Sequence, residues 1–292
     1  MRLLPKFTII FLLVYGSGLA LAAYFAQQFL TENAHEQVLS QARFMMEAAS
    51  ATRKYTNEQV KPVIQQAAIN SMAFIPQTVP SYSAITNIGY LRKKYPDYSY
   101  REPALNPTNP RDRALDWEGD IILSFRNYAD KTEATNIRDT PEGKMLWLAK
   151  PIRAPEGCLE CHDTPDRAPA PLIATYGPNN GFGWKADDVI AAQIVQVPMR
   201  VPEDIAAKAF RTLMTYLGLV GLATLVMLNV ALNTFVVRPV AKLSRLADRI
   251  SKGDLETTEL PLKGSDEIAE LAASFNRMKV SLAKALRMLE GG

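Results

Sequence analysis

The sequence predicts an α+β domain placed between two transmembrane helices and followed by an all-α coiled-coil segment. Two long apolar runs frame the domain, strand-like runs alternate with helical patterns between them, and the last part of the chain repeats apolar residues in heptads. The predicted boundaries are an N-terminal tail over residues 1–6, transmembrane helices over 7–29 and 212–237, a folded domain over 30–210 and the helical segment over 238–290.

The two apolar runs are each long enough to cross a bilayer. The run from Phe7 to Phe29 and the run between Arg211 and Arg238 contain no charged residue, and about 20 apolar residues suffice for a span. The first run also has the small-x-small pattern of a cleaved signal peptide at Ala20-Leu21-Ala22. Because its apolar stretch is longer than a usual signal-peptide core, we expect it to be an anchor.

Basic residues predict the orientation in the membrane. Arg2 and Lys6 precede the first run, and the second run is followed by four basic residues, Arg238, Lys242, Arg245 and Arg249. Lys and Arg are enriched in cytoplasmic loops. We therefore expect a bacterial inner-membrane protein with both termini in the cytoplasm and residues 30–210 in the periplasm.

One short motif carries the most chemical information. Cys158-Leu159-Glu160-Cys161-His162 spells C-x-x-C-H, the attachment signature of a c-type haem. Two thiols at this spacing can form thioethers with the two vinyl groups of one porphyrin, and the adjacent His162 can bind the iron. The chain has two cysteines in total, so one haem c per chain is expected. A redox dithiol or part of a zinc site are the alternatives.

Composition narrows the other classes of function. The 292-residue chain has a net charge of +3, and the domain between the spans has nearly equal numbers of basic and acidic residues, so no nucleic-acid surface is expected. With two histidines in total, a Ser/His/Asp or Cys/His catalytic set is hard to build, and no Gly-rich phosphate loop occurs. We expect a protein that is not an enzyme.

The last part of the chain has the pattern of two short coiled-coil helices. A first helix is predicted from Pro239, a break at Gly253-Asp254-Leu255, an extended connector at Leu260-Pro261-Leu262 and a second helix from Asp266-Glu267. Apolar residues of the second helix repeat at alternating spacings of three and four, at Ile268, Leu271, Phe275, Met278, Leu282, Ala285 and Leu289. Two such helices cannot bury their apolar seams alone, so a partner copy is expected.

This segment resembles a HAMP linker. The resemblance rests on Pro239, Gly253-Asp254-Leu255, Asp266-Glu267-Ile268 and Phe275-Asn276-Arg277-Met278. It implies a homodimer with a parallel four-helix coiled coil that relays movement of transmembrane helices. An ordinary amphipathic hairpin is the alternative. The sequence ends directly after this helix, so the expected output is a separate cytoplasmic signalling partner or an output domain missing from this chain.

The sequence between the two spans predicts β-strands that are covered by helices. One long helix is predicted from about Thr31 to Ala73 with a kink at Pro62, followed by an irregular Pro-rich stretch from Phe74 to Pro110. Short apolar runs follow at Ile121–Phe125, Lys144–Pro151 and Val189–Pro198.

A second resemblance covers about residues 35–200. The series is similar to a family of periplasmic PAS-like c-type haem sensor domains, formerly a domain of unknown function. The carrying strings are Phe74-Ile75-Pro76, Leu91-Arg92-Lys93-Lys94-Tyr95-Pro96, Leu105 to Arg111, Asp116-Trp117-Glu118, the C-x-x-C-H motif and Gly181-Phe182-Gly183-Trp184. The resemblance implies a PAS-like haem input domain ahead of the HAMP linker, with the ligand opposite His162 on the helix before the Pro-rich stretch.

Several residues are candidates for holding the haem. His162 is the proximal iron ligand by motif, and Tyr55 and Met46 are distal candidates. Arg111 and Arg113 are candidates for propionate contacts, because Arg forks match carboxylates. Other residues weighed for the distal side are His35, Met45, Val60 and Lys61. With no third cysteine in the chain, we expect a five-coordinate or weakly six-coordinate iron.

These observations predict a membrane-bound signal-transduction sensor. A periplasmic haem c would detect redox state or a small gas (NO, CO or O2) and relay the signal through HAMP to the cytoplasmic partner. A membrane-tethered c-type cytochrome that only transfers electrons is the first alternative. A ligand-binding receptor with a structural haem is the second.

Overall fold

The computed structural model describes residues 3–67, 73–254 and 266–290. The chain divides into two compact units, one formed by Met1–Gln27 with Phe210–Gly292 and the other by Gln28–Ala209. The predicted α+β class, with candidate membrane helices at both ends of the domain and an all-helical C-terminal region, is confirmed.

The described elements alternate helices with four strands. The helices are α1 (Leu3–Tyr55), α2 (Lys61–Ala67), α3 (Pro80–Arg92), α4 (Asp116–Asn127), α5 (Glu156–His162), α6 (Ala170–Tyr176), α7 (Arg200–Ala231), α8 (Arg238–Ser251) and α9 (Glu267–Glu290). The strands are β1 (Ser99–Arg101), β2 (Ala134–Thr140), β3 (Gly143–Arg153) and β4 (Val189–Pro198).

The long N-terminal helix changes its geometry before Pro62. α1 ends at Tyr55, a π-helical turn spans Thr56–Val60, and α2 then runs to Ala67. A proline cannot donate to the helical ladder and crowds the preceding turn, and single π turns are common at functional sites. The predicted helix is confirmed up to Ala67, and its last predicted residues fall partly outside the described ones.

The four strands form one antiparallel sheet with the order β1-β4-β3-β2. β4 spans Val189–Pro198, as the apolar run predicts, and β3 contains the predicted run Lys144–Pro151. Central β4 pairs with β3 over most of its length, with Val195 opposite Leu148. This pairing places the strand that follows the cofactor motif at the centre of the domain.

Helices pack on both faces of the sheet, and β4 contributes to both cores. On one face, Val195 and Val197 pack with Met46 of α1. On the other face, Ala192 and Ile194 pack with Phe125 of α4. The alternation follows the two-residue repeat of a strand, and it fixes α1 and α4 on opposite sides of the sheet.

Two predictions for this domain are wrong. Ile121–Phe125 lies inside α4 rather than in a strand, and the stretch predicted to be irregular contains α3 from Pro80 to Arg92 and strand β1. Ile121, Ile122 and Phe125 share one buried helical face, and a short apolar run of this kind fits a helix or a strand. Pro80 occupies the first turn of α3, where its missing N–H does no harm.

Parts of two helices that are apolar and long enough to cross a membrane lie in the unit formed by Met1–Gln27 and Phe210–Gly292. Two polar contacts join them within this unit. The Thr8 hydroxyl donates to Asn229 Oδ1 at 2.9 Å, and the Tyr15 hydroxyl donates to the Leu217 carbonyl. A methyl group on Gly221 would overlap the Tyr15 ring, so the glycine lets the two helices approach closely.

α8 continues from α7 through the π-helical turn Leu232–Val237 and does not start afresh at Pro239, whereas the end of α8 and the start of α9 lie where the sequence predicts. α8 ends at Ser251, and Gly253 follows with a left-handed φ of 94°. Before α9, Asp266 Oδ1 accepts a hydrogen bond from the Ala269 N–H at 2.8 Å. The predicted connector Leu260-Pro261-Leu262 lies outside the described residues.

Candidate cofactor site

The C-x-x-C-H motif opens into a large cavity of the α+β domain. The cavity has a volume of about 890 Å³, and Cys158, Cys161 and His162 all contribute to its wall. Its other walls come from the end of α1, from α2, from the segments 73–82 and 102–112, and from α6. Cofactor pockets typically have volumes of roughly 300–1,000 Å³, so this one has the size of a site for a large organic group.

The short helix α5 positions the two thiols. Cys158 and Cys161 are three residues apart on this helix and therefore share one face. Both are free and half-buried. Burial raises the pKa of both thiols, and the charge of Lys61 acts on both in the opposite direction. They are thus protonated thiols at neutral pH, which is unlike the low-pKa thiolate of a redox dithiol.

His162 is held in one tautomer by a backbone carbonyl. Its Nδ1 lies 2.7 Å from the Gly181 carbonyl oxygen, and because a carbonyl only accepts, Nδ1 carries the proton. Burial lowers the pKa of His162, while the bond to Gly181 opposes this effect. The ring is therefore neutral with its lone pair on Nε2, the form that binds a metal ion.

A glycine-rich segment shapes the pocket around His162. The Trp184 ring stacks on the imidazole, with centroids 4.0 Å apart and planes 14° apart. The backbone N–H of Trp184 donates to the His162 carbonyl at 3.2 Å, and the backbone N–H of Gly183 donates to the Asp163 carbonyl at 2.8 Å. These contacts fix the segment from Gly181 to Trp184 against the end of α5.

The predicted propionate contacts are separated by the fold. Arg111 lines the cavity, forms an ion pair with Asp112 (Nε to Oδ1, 3.4 Å) and lies over the Tyr82 ring. Arg113 is exposed and is not among the described residues that line the cavity. Of the two, only Arg111 is placed to contact a group in the cavity.

The distal candidates Met46 and Tyr55 are not among the described residues that line the cavity. Met46 is fully buried in the core against the sheet, and the Tyr55 side chain is 62% exposed. Met46 precedes Arg53 by about two turns on the same face of α1, so it packs on the sheet before the helix reaches the cavity, whereas Tyr55 lies on a different face of the helix. Among the distal residues weighed, Lys61 lines the cavity.

Sequence reasoning missed a charged cluster in the cavity wall. Arg53 of α1 forms an ion pair with Glu102, which follows β1, and the Tyr100 hydroxyl donates to Glu102 Oε1 at 2.6 Å. Arg53 and Glu102 both line the cavity. Arg53 is 49 residues from Glu102 along the chain, so no local motif could reveal the pair.

The residues present fit a c-type haem. Two thiols and one neutral imidazole stand on a single short helix, they share one cavity, and that cavity has the volume that a large cofactor needs. Among the described residues, no cluster of three His, Cys, Asp or Glu side chains is arranged for a bare metal ion. The donor set is therefore better suited to haem than to zinc.

Fold and site together define a class: an α+β domain with a cofactor cavity and a C-x-x-C-H motif, joined to two candidate membrane helices and followed by a helical pair. Residues 31–198 match the family model described as Tll0287-like, and residues 231–284 match the HAMP domain model. The chain belongs to the Tll0287-like family and carries a HAMP domain after it. The predicted order, a haem-sensor-type domain followed by HAMP, is confirmed.

Individual proteins match this chain at low identity or over a small part of its length. The cyanobacterial haem protein Tll0287 is 16% identical, with a TM-score of 0.41 over 55% of this chain and 94% of that one. Sensor histidine kinase MtrB of Mycobacterium tuberculosis is 40% identical over 73 residues, which are 25% of this chain and 13% of the kinase. Kinase/phosphatase MprB of Mycobacterium avium is 32% identical over 84 residues, 29% and 16% of the two chains. This chain thus spans a small part of the kinases it matches.

Proposed function

We propose that this protein is a membrane-bound sensor that holds one haem c covalently in the cavity of a periplasmic domain. The observation that carries the proposal is the placement of Cys158, Cys161 and His162 on one helix that lines the cavity, with the lone pair of His162 on Nε2. Membership in the Tll0287-like family and the HAMP match support the same function.

Each of the three residues has a separate task in this proposal. Cys158 and Cys161 would hold the haem through thioethers, and His162 would bind its iron. The haem would supply either a one-electron change of charge or an exchangeable coordination position on its iron. The Gly181 carbonyl keeps the imidazole in the binding tautomer, and Trp184 limits its rotation by stacking. Arg111 offers a cation for a propionate.

Helices on both sides of the domain can carry the signal. α1 runs without interruption from Leu3 to Tyr55, so the residues near the cavity belong to the same helix as the first candidate span. β4 ends at Pro198, and α7 begins two residues later at Arg200. The basic residues that flank the spans favour an orientation with both termini in the cytoplasm. We infer that HAMP then passes the change to a cytoplasmic signalling partner.

The reduced protein is expected to bind CO and to change its visible spectrum. Apart from the motif itself, no His, Cys or Met stands among the described residues that line the cavity, so these described residues offer the iron no second ligand of those types. The test is the spectrum of the haem-loaded full chain, oxidised and reduced, with and without CO. A low-spin spectrum that CO leaves unchanged would contradict gas sensing and favour redox sensing or a simple electron carrier.

The HAMP segment is expected to form a homodimer. Leu271, Met278 and Leu282 of α9 are 52%, 54% and 42% exposed although they occupy the heptad seam, and such a seam requires a partner helix. Replacing Met278 with Cys should give a disulfide-linked dimer on mild oxidation in membranes. Arg277→Cys, one residue away and off the seam, is the control. Equal cross-linking yields for the two variants would contradict the proposed parallel interface.

A further inference from the structure

A buried cluster of charges connects the long helix to the sheet at the cavity wall. The Glu102 side chain is 2% exposed and that of Arg53 is 25% exposed, while Tyr100 is 4% exposed. Both carboxylate oxygens of Glu102 are engaged, Oε1 by the Tyr100 hydroxyl and Oε2 by Arg53 Nη1. The cluster therefore joins α1 to β1 through one carboxylate.

Arg53 and Tyr100 each keep one protonation state near neutral pH. Burial is the largest influence on the pKa of Arg53 and lowers it, but the electrostatic effects of Glu102 and Tyr100 and the hydrogen bond to Glu102 together outweigh burial, and the pKa is raised. Burial, followed by the charge of Glu102, raises the pKa of Tyr100. Arg53 is thus a cation and Tyr100 a hydrogen-bond donor across the physiological pH range. A buried pair of this kind contributes little net stability, because desolvation offsets the attraction.

The cluster is within electrostatic reach of the cofactor motif. Arg53 and Glu102 line the same cavity as Cys158. Burial raises the pKa of the Cys158 thiol, and the charge of Arg53 is the largest opposing influence. A charge placed in the cavity would therefore act on Arg53 and on Glu102, and it would act on them with opposite signs.

We propose that the Arg53–Glu102 ion pair converts a change of charge in the cavity into a displacement of α1 relative to the sheet. This inference rests on the proposed function, because haem c supplies the change: one electron passes to or from a one-electron carrier, and no bond or proton is exchanged. Extra positive charge repels Arg53 on the helix and attracts Glu102 on the sheet. The pair is loosened on oxidation and tightened on reduction.

The geometry of the helix suits this role. Arg53 lies two residues before the end of α1, and the π-helical turn Thr56–Val60 follows it directly. A π turn interrupts the regular ladder and allows the preceding helix to shift separately from α2. Ser50, one turn earlier, has its hydroxyl 3.5 Å from Gln193 Oε1 of β4, so the same face of α1 meets the sheet again.

The first test is the reduction potential of the haem-loaded full chain. Arg53→Gln should lower the potential and Glu102→Gln should raise it, because a nearby cation favours the reduced form and an anion the oxidised form. Each should change the ratio of oxidised to reduced protein at a fixed poise by roughly threefold or more. Arg53→Lys should stay near the wild type. Lys54→Gln, an adjacent but exposed charge that also lines the cavity, should have a smaller effect.

The second test is amide hydrogen exchange of residues 42–55 in the oxidised and reduced states. The wild type and Lys54→Gln should show a difference between the two states, and the Arg53→Gln/Glu102→Gln double variant should lose it. The double variant leaves no unpaired buried charge, so it tests the pair without the destabilisation that an unpaired partner causes in either single variant. A wild-type difference that survives in the double variant overturns the inference, as does a wild type without any difference.

The two proposals can fail separately. The mass of the matured wild-type chain is measured first, and absence of covalently bound haem overturns the proposed function. With haem attached, the potentials and the exchange data then decide the role of Arg53 and Glu102 alone.

Discussion

Replacing both Cys158 and Cys161 with Ala is expected to abolish covalent haem attachment completely. The two residues are the only cysteines of the chain, so no other side chain can form the thioethers. The intact mass of the purified chain and haem staining after denaturing electrophoresis measure the loss. Glu160→Gln is a matched control, because Glu160 stands between the two thiols and lines the same cavity but should leave attachment unchanged.

The same experiment separates haem from the alternative uses of the motif. A chain that acts as a redox dithiol would interconvert between thiol and disulfide and would carry no added mass in either form. The raised pKa of both buried thiols already disfavours that chemistry. Haem staining that persists in the double alanine variant would show that the group is held elsewhere and would contradict the assigned site.

The core of the candidate site can be identified from the sequence because it is local. Cys158, Cys161 and His162 form one motif within five residues, with the spacing that the proposed attachment to a porphyrin needs. The groups that support His162 are distant, since Gly181 is 19 and Thr108 is 54 residues away along the chain. No periodicity or spacing joins such positions. They become neighbours only when the sheet brings the segments 102–112 and 181–184 to the end of α5.

The fold shows the same division between local and long-range information. Central strand β4 is predicted correctly because five of its ten residues are Val or Ile, which are enriched in strands. Helix α4 is missed because its apolar residues cluster within five positions, where helix and strand patterns coincide. Helix α3 is missed because prolines surround it, although Pro80 in fact marks its start. Pro80 marks the first turn of a helix here and does not indicate irregular structure.

The distal side of the cavity was the hardest part to predict. Met46 and Arg53 lie on one helix and are seven residues apart, but the first enters the core and the second enters the cavity wall. The apolar periodicity identifies the face that packs on the sheet. It does not show where along that face the core ends and the cavity begins, and so the pair of Arg53 with Glu102 had no signature in the sequence.

Replacing Gly181 with Ala is expected to damage the site more than any other single substitution outside the motif. Gly181 has a left-handed φ of 82°, and an added Cβ would lie 2.0 Å from Thr108 Oγ1 and 2.9 Å from Thr108 Cα. The backbone strain alone should lower the free energy of unfolding by about 1–3 kcal/mol. The overlap adds to this loss and displaces the carbonyl that holds His162.

Gly183 provides a matched control that separates backbone strain from the overlap with Thr108. It has a similar φ of 78°, but an added Cβ would meet nothing within 4 Å. Gly183→Ala therefore carries the strain without the overlap, and the difference in unfolding free energy between the two variants, measured by chemical denaturation, isolates the contact with Thr108. Adding Thr108→Ala to Gly181→Ala should recover only part of the loss, because the contact with the Thr108 backbone remains. Equal destabilisation by the two glycine variants would mean that Thr108 does not confine this segment. In that case the position of the Gly181 carbonyl, and with it the tautomer of His162, would have to depend on the stacking of Trp184 instead.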